Sequence, residues 1–324
     1  MNKYSNPQLR SINTELTQLN QNLEHMVIAE HPVLRAAAEQ LFSAKGKRIR
    51  PAIVLLISKL VNSDSRISSE QRRLAEITEI IHTASLVHDD IIDNCDKRRG
   101  IETVHNTFNN KVAVLAGDFL FAQSSWYLAN LQNLSVVQLI SKVIIDFAEG
   151  EVQQGIKSFD CGISIEDYIE KSFYKTASLI ACSCKGTTML NFEQKYIQDN
   201  FYLYGKHLGL AFQIIDDILD ISGCTRILGK PAGSDIKNGN FTAPLIFAME
   251  EKPQLATLTS KDFRDQEEID EIIKIIKSTK GIQKAKDLAQ EHLQVAIHII
   301  NQEYSNYDLT DLLSMSYYIL NRIN

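Results

Sequence analysis

The chain has 324 residues, 44% of them apolar and 23% charged, with a formal net charge of −6. That length is ample for a large buried core in one domain or two. The modest acidic balance argues against a nucleic-acid footprint, and no apolar run reaches transmembrane length.

The first residues, MNKYSNPQLRSINTEL, lack the apolar core of a secretory signal and the Arg- and Ser-rich, acid-poor character of a transit peptide. The expectation is a soluble protein, made where it works or already in mature form. Five cysteines, Cys95, Cys161, Cys182, Cys184 and Cys224, make an odd count with no CxxC pair. Cys182 and Cys184 sit in an apolar helical stretch and read as small buried hydrophobes, which suits a reducing compartment.

Along the chain, the first forty residues read as two helices broken near His31-Pro32. A basic loop, SAKGKRIRP, follows and carries Lys47, Arg48 and Arg50, with Pro51 placed to begin a helix. Residues 62–69 form a loop, and helical spacing resumes at Glu70, with Ile77, Ile80, Ile81 and Ala84 on an apolar face. Further helices are expected from about Lys111 to Leu131 and from about Ser135 to Gly155. Ser164 with Asp167 resembles an N-terminal capping pair. Lys175 with Thr176 starts a helix in this reading, and helical pattern continues through 220. Residues 222–244 form the longest Gly-rich loop, and the last eighty residues are helices. No proline falls between Pro51 and Pro231, and alternating strand patterns are hard to find. The spacing predicts an all-α fold, one bundle of long helices.

Two stretches stand out. LVHDDIID places Asp89, Asp90 and Asp93 together, and FQIIDDILD repeats the D-D-x-x-D spacing with Asp216, Asp217 and Asp220. Positions i and i+4 share a helix face, and i+1 lies about 100° around. Crowded carboxylates repel one another unless a cation holds them. One cluster alone leaves a solvated helix face open as a reading; two, each in an apolar helix, point to a cation site. Basic residues flank them: Lys47, Arg48 and Arg50, then Arg98 and Arg99, Lys175 with Thr176, and Lys230 in the Gly-rich loop. Mg²⁺ commonly bridges one or two carboxylates to phosphate oxygens, and Arg binds phosphate through its fork. The combination suits a diphosphate presented through Mg²⁺. His82 lies two turns before Asp89 on the same face; from the residues alone it is either a satisfied core histidine or a phosphate ligand. His88 takes the structural reading.

The stretches GKRIRP, EIIHTASLVHDDIID, KRRG, YKTASL, FQIIDDILD and LGKPAGSD together resemble the trans-polyprenyl diphosphate synthases over nearly the whole chain. LGKPAGSDIKNGNFTAP is similar in detail to the solanesyl-type, long-chain synthases of cyanobacteria and plastids. The resemblance implies an isoprenoid-synthase fold: one domain over 1–324, with long antiparallel helices around a central cavity. It implies Mg²⁺, three ions per active site, held by Asp89, Asp90 and Asp93 and by Asp216, Asp217 and Asp220. Arg98, Lys175, Thr176, Gln213 and Lys230 match positions that contact the allylic diphosphate. Lys47, Arg50, His82 and Arg99 match the pocket for isopentenyl diphosphate. Asp89, Asp93, Arg98, Lys175 and Asp216 are the residues expected to carry catalysis.

The resemblance further implies a homodimer, no nucleic-acid partner and at most peripheral membrane contact for product release. The expected location is the plastid stroma if the gene is plastid-encoded and the cytoplasm otherwise. Lys45 stands where the family has a glycine, and Asn240 where many members carry a lysine against the allylic diphosphate. Ala84 and Ser85, one turn below the first cluster, leave the path of a growing chain open where short-chain members have an aromatic floor. With Ile81 and Ile77 the open face extends about 18 Å below Asp89. Trp126 or Phe121 is the expected floor, and the expected product is about C40–C50, destined for quinone side chains. The alternatives are a geranylgeranyl-type short-chain synthase, a terpene cyclase and a non-catalytic partner subunit.

Overall fold

The computed structural model describes residues 7–43, 46–62, 64–98, 100–223, 232–259 and 266–323. The fold is all-α: among the described residues the regular structure is helical apart from one ribbon of two two-residue strands. The helices are α1 (Asn13–Met26), α2 (Pro32–Ser43), α3 (Ile49–Val61), α4 (Ser69–Ile92), α5 (Val104–Thr107), α6 (Asn110–Ala129), α7 (Leu134–Ile156), α8 (Ile165–Ser172), α9 (Ser178–Leu190) and α10 (Lys195–Ser222). They continue as α11 (Ser234–Lys237), α12 (Ala243–Glu251), α13 (Gln254–Thr259), α14 (Gln266–Lys277), α15 (Gly281–Tyr304) and α16 (Thr310–Leu320). Two compact units are formed, one from Met1–Ile144, Leu179–Gly205 and Ile299–Met315, the other from Ile145–Ser178, Lys206–His298 and Ser316–Asn324.

In the first unit, α4 packs on α3 and α6. Its start is set by a capping box in which Ser68 accepts from the Gln71 amide while the Gln71 side chain accepts from the Ser68 amide. Leu74, Ile77, Ile81, Ala84 and Val87 form its buried stripe. Each fully buried aliphatic side chain of this size, Ala84 excepted, contributes about 1.5–3 kcal/mol. The stripe therefore holds the acidic end of α4 in place. In the second unit, Ile214, Ile215, Ile218 and Ile221 of α10 pack with Tyr168, Phe241, Leu245 and Ile272, which fixes the rotation of the helix bearing the second aspartate cluster.

Several local expectations hold. The first two helices break before Pro32, Ser164 and Asp167 form a capping box, and Cys182 and Cys184 are buried. Others are corrected. α3 begins at Ile49, so Arg50 belongs to its first turn and Pro51 is its third residue, still among the positions whose amides lack helical partners. Lys97–Arg98 pairs with Ile101–Glu102 as a short antiparallel ribbon, with Gly100 at φ +79° turning the chain. Lys175 and Thr176 do not start a helix: Phe173–Ala177 is a π-helical turn between α8 and α9. Such bulges are common at functional sites because they shift the register of the side chains around them.

Candidate active site

At the end of α4, Asp89 and Asp93 are half-buried, whereas Asp90 is buried. Asp90 accepts from Arg98 Nε at 2.8 Å and Nη2 at 2.7 Å, a two-pronged charge-assisted contact. Burial works against the Arg98 charge, but the Asp90 hydrogen bond and the charges of Asp90 and Asp89 outweigh it and raise the pKa. The ribbon carrying Arg98 is itself tied down, since Thr103 Oγ1 donates to Cys95 O at 2.9 Å and the Thr103 amide donates to Asp96 O.

Two turns back on α4, His82 Nε2 lies 2.9 Å from Arg50 Nη1. Arginine only donates, so this ring nitrogen accepts and the neutral ring carries its proton on Nδ1. A pocket with about 550 Å³ of empty space, its open mouth included, is lined by Arg48, Glu79, His82, Thr83, Leu86, Asp90 and Arg98, together with α2 and ribbon residues. It brings together residues expected to bind two different diphosphates, His82 and Arg98. Lys47 is exposed in the loop before α3. His88, read as structural, has Nε2 3.1 Å from Val114 O and packs over Gly117, where a Cβ would meet its ring at 2.2 Å.

In the second unit the three aspartates of α10 have three different environments. Asp217 is buried and accepts from Tyr168 Oη at 2.6 Å and Gln213 Nε2 at 2.8 Å. Burial first, and the charge of Asp235 second, push its carboxyl up to about 8. Asp220 is buried and accepts from Ser234 Oγ at 3.0 Å. Asp216 is the most open of the three; Arg322 Nη1 stands 2.6 Å from its Oδ1, and the guanidinium lies over the Phe212 ring. Thr176 Oγ1 donates to Gln213 Oε1 at 2.6 Å, so Thr176, Gln213, Asp217 and Tyr168 form one chain of hydrogen bonds. Lys175 pairs with Glu151 at 2.5 Å. Asn240, which the sequence resemblance placed where many relatives carry a lysine, accepts from the buried Lys171 Nζ, which also donates to Phe241 O at 3.3 Å.

Sequence reasoning missed Glu79, Lys171 and Arg322 as parts of these arrangements, and it named Arg48 as a flanking basic residue without its pairing to Glu79. Glu76 and Glu79 inside the apolar run of α4 were the available signal, because a buried acid requires a partner. Arg99 and Lys230 lie outside the described residues. Ala84 and Ile81 are buried and Ser85 half-buried. Trp126 is 61% exposed, its ring in a T-shaped contact with Tyr127. Phe121 is half-buried, its ring 5.8 Å from that of His88.

Among the described residues, no three His, Cys, Asp or Glu side chains form a group able to hold a metal ion. Any ion here draws further ligands from water or a phosphate, as Mg²⁺ characteristically does. The open carboxylates, Asp89, Asp93 and Asp216, are hard oxygen donors without thiol or imidazole companions, which fits that cation.

The Polyprenyl synthetase family profile matches residues 31–276. A prenyl transferase of Porphyra purpurea is 55% identical over 313 residues, covering 97% of each chain. Solanesyl diphosphate synthase 2, chloroplastic, of Arabidopsis thaliana is 50% identical over 290 residues, 89% of this chain and 70% of that one. The crystal structure of heptaprenyl diphosphate synthase from Staphylococcus aureus superposes with a TM-score of 0.90 at 34% identity, covering 97% of this chain and 99% of that one. With a profile match over most of its length and relatives this similar from end to end, the chain belongs to the polyprenyl synthetase family and is a trans-prenyltransferase.

Proposed function

We propose that this protein elongates an allylic diphosphate by successive head-to-tail condensation with isopentenyl diphosphate, giving an all-trans product of about C40–C50, of the solanesyl class, for quinone side chains. The observation that carries the chemistry is the pocket of the first unit, which Arg98, His82 and Asp90 line together, with Arg98 on Asp90 and Arg50 on His82. Product length draws support from the similarity to solanesyl synthases and from the small residues Ala84 and Ser85 one turn before the aspartates.

Asp89, Asp93 and Asp216 would hold Mg²⁺, three ions per active site; the buried Asp90, Asp217 and Asp220, expected as ligands with them, would also orient the groups around the ions through their protein partners. When bound, Mg²⁺ neutralises the charge on the diphosphate oxygens and so favours its departure. Arg98 and Lys175 add fixed positive charge where the leaving group becomes more negative. Thr176, Gln213 and Lys230 complete the allylic diphosphate site, while Lys47, Arg50, His82 and Arg99 hold isopentenyl diphosphate. The allylic C–O bond breaks with its electron pair leaving on diphosphate. The isopentenyl π electrons then form the new C–C bond, and the released proton passes to the diphosphate. No side-chain nucleophile or base takes part.

The working form is a homodimer. An exposed stripe on α7, Leu134, Gln138, Ser141, Ile145, Ala148, Val152 and Ile156, repeats at helical spacing, and a symmetric pair is the commonest way to cover such a face. Light scattering should give twice the 36.6 kDa of one chain; a monomer at working concentration refutes the pairing. Among the described residues no helix is long and apolar enough to cross a membrane. Membrane contact, where it occurs, is peripheral and serves product release. The similarity to a chloroplastic enzyme supports a plastid stroma location if the gene is plastid-encoded, with the cytoplasm as the location otherwise.

Product length is the decisive test. The purified protein, Mg²⁺, labelled isopentenyl diphosphate and farnesyl or geranylgeranyl diphosphate are incubated, and the dephosphorylated alcohols separated. A C40–C50 product is expected, and chelation by EDTA should abolish it. Arrest at C15–C20 overturns the long-chain reading, and no product at all points to a partner-dependent subunit.

A further inference from the structure

Arg48 is not among the residues expected to touch either substrate, yet it is one of the most constrained side chains in the first unit. Its backbone is in the left-handed region at φ +51°, ψ +36°, directly before α3. A non-glycine residue held there is strained, and the surrounding structure must over-determine it. Here the constraint is visible. Arg48 Nη1 forms an ion pair with Glu79 of α4, the two side chains 7% and 6% exposed, and Arg48 Nε donates to Asn20 Oδ1 of α1 at 3.0 Å.

The positions of the two partners give this contact meaning. Arg48 stands between Lys47 and Arg50, and Glu79 stands one turn before His82 on α4. The Arg48–Glu79 pair therefore clamps the segment carrying Lys47 and Arg50 to the helix carrying His82, the three residues expected to bind the phosphates. The Arg50–His82 contact at 2.9 Å lies alongside this clamp, and both Arg48 and Glu79 line the same pocket as His82. A buried ion pair is weak evidence of added stability, because desolvation of both charges offsets their attraction. A geometric role for the pair accounts for its placement.

We infer that Arg48 and Glu79 are positioning residues for isopentenyl diphosphate, setting the spacing of Lys47, Arg50 and His82 without touching the substrate. This rests on the condensation reaction proposed above. The test is steady-state kinetics of Glu79→Gln, Arg48→Lys and Arg48→Gly, with each substrate varied in turn. Glu79→Gln preserves shape, and Arg48→Gly relieves the backbone strain while removing the guanidinium.

The expected result is a KM for isopentenyl diphosphate raised about tenfold or more in all three, with the KM for the allylic diphosphate within twofold of wild type. A purely structural pair would lower the folded fraction, and so the apparent kcat, while leaving both KM values unchanged; that result overturns the inference. So does an equal rise in both KM values, or a wild-type KM in Arg48→Gly. If Arg48→Gly fails to fold, Glu79→Gln alone decides between these outcomes. Failure of the underlying reaction shows in the wild-type protein, which would then not condense the two substrates at all. Failure of the positioning role shows only in the variants.

Discussion

Arg98 reaches Asp90 through two nitrogens, and this pair shows how the repeated D-D-x-x-D spacing divides its labour. The second aspartate of each cluster, Asp90 or Asp217, lies about 100° around the helix from the first and is buried against protein partners. The first aspartates, Asp89 and Asp216, remain more open. Arg98→Lys keeps a charge but loses the fork that matches a carboxylate. It should lower kcat by about 10²-fold, the scale of losing one donor to developing charge. Asp90→Asn should act in the same direction. Because the two residues form one unit, the double variant should lose less than the product of the single losses; a fully multiplicative loss in a double-mutant kinetic cycle refutes the coupling.

Between helices, two close approaches fix side-chain positions at element scale. Gly209 of α10 faces Ala177 of the π turn, where an added Cβ would lie 2.6 Å from Ala177 Cα. The backbone contact leaves no flexible side chain to move aside. Gly209→Ala should destabilise by about 1–3 kcal/mol through overpacking. Because Lys175 and Thr176 occupy the same turn, it should also reduce activity in the folded protein. An unchanged melting temperature would refute the close packing.

The second approach joins α10 to α15, with His207 Nδ1 2.9 Å from His292 Nδ1. One nitrogen must donate and the other accept. Burial first, then the charges of His292 and Lys206, lower His207 to about 4, and burial and Lys206 lower His292. A histidine whose folded pKa lies below its unfolded value contributes stability at pH above about 6.5. That contribution is lost as pH falls from about 6.5 toward 4, because the unfolded chain binds more protons there. Thermal melts at pH 7.5 and 5.5 should show a drop that His207→Asn reduces; an equal drop in the variant refutes the assignment.

For the whole molecule, product length is where packing and chemistry meet. Ala84 is 0% exposed, so Ala84→Phe would overpack the core and confound the reading. Ser85 is half-buried, with its hydroxyl donating to His82 O at 3.0 Å. Ser85→Phe should therefore shorten the product toward C15–C20 with the first condensation retained. Chromatography of the alcohols tests this, and an unchanged chain length removes Ser85 from the path.

The helices, the Ser164–Asp167 cap and the two acidic clusters were legible in the sequence because each depends on neighbours within about four residues: helical period, capping geometry and i, i+3, i+4 spacing are local. The π turn was not legible, since YKTASL is a good helical sequence and the extra residue is accommodated only against what packs on it. Tertiary structure alone decided which aspartates stay open and which are buried. For the second cluster the partners, Tyr168 for Asp217 and Arg322 for Asp216, stand dozens of residues away along the chain, as Glu79 does from Arg48. Burial and ion pairing between such positions follow from how helices stack, and no local spacing encodes that.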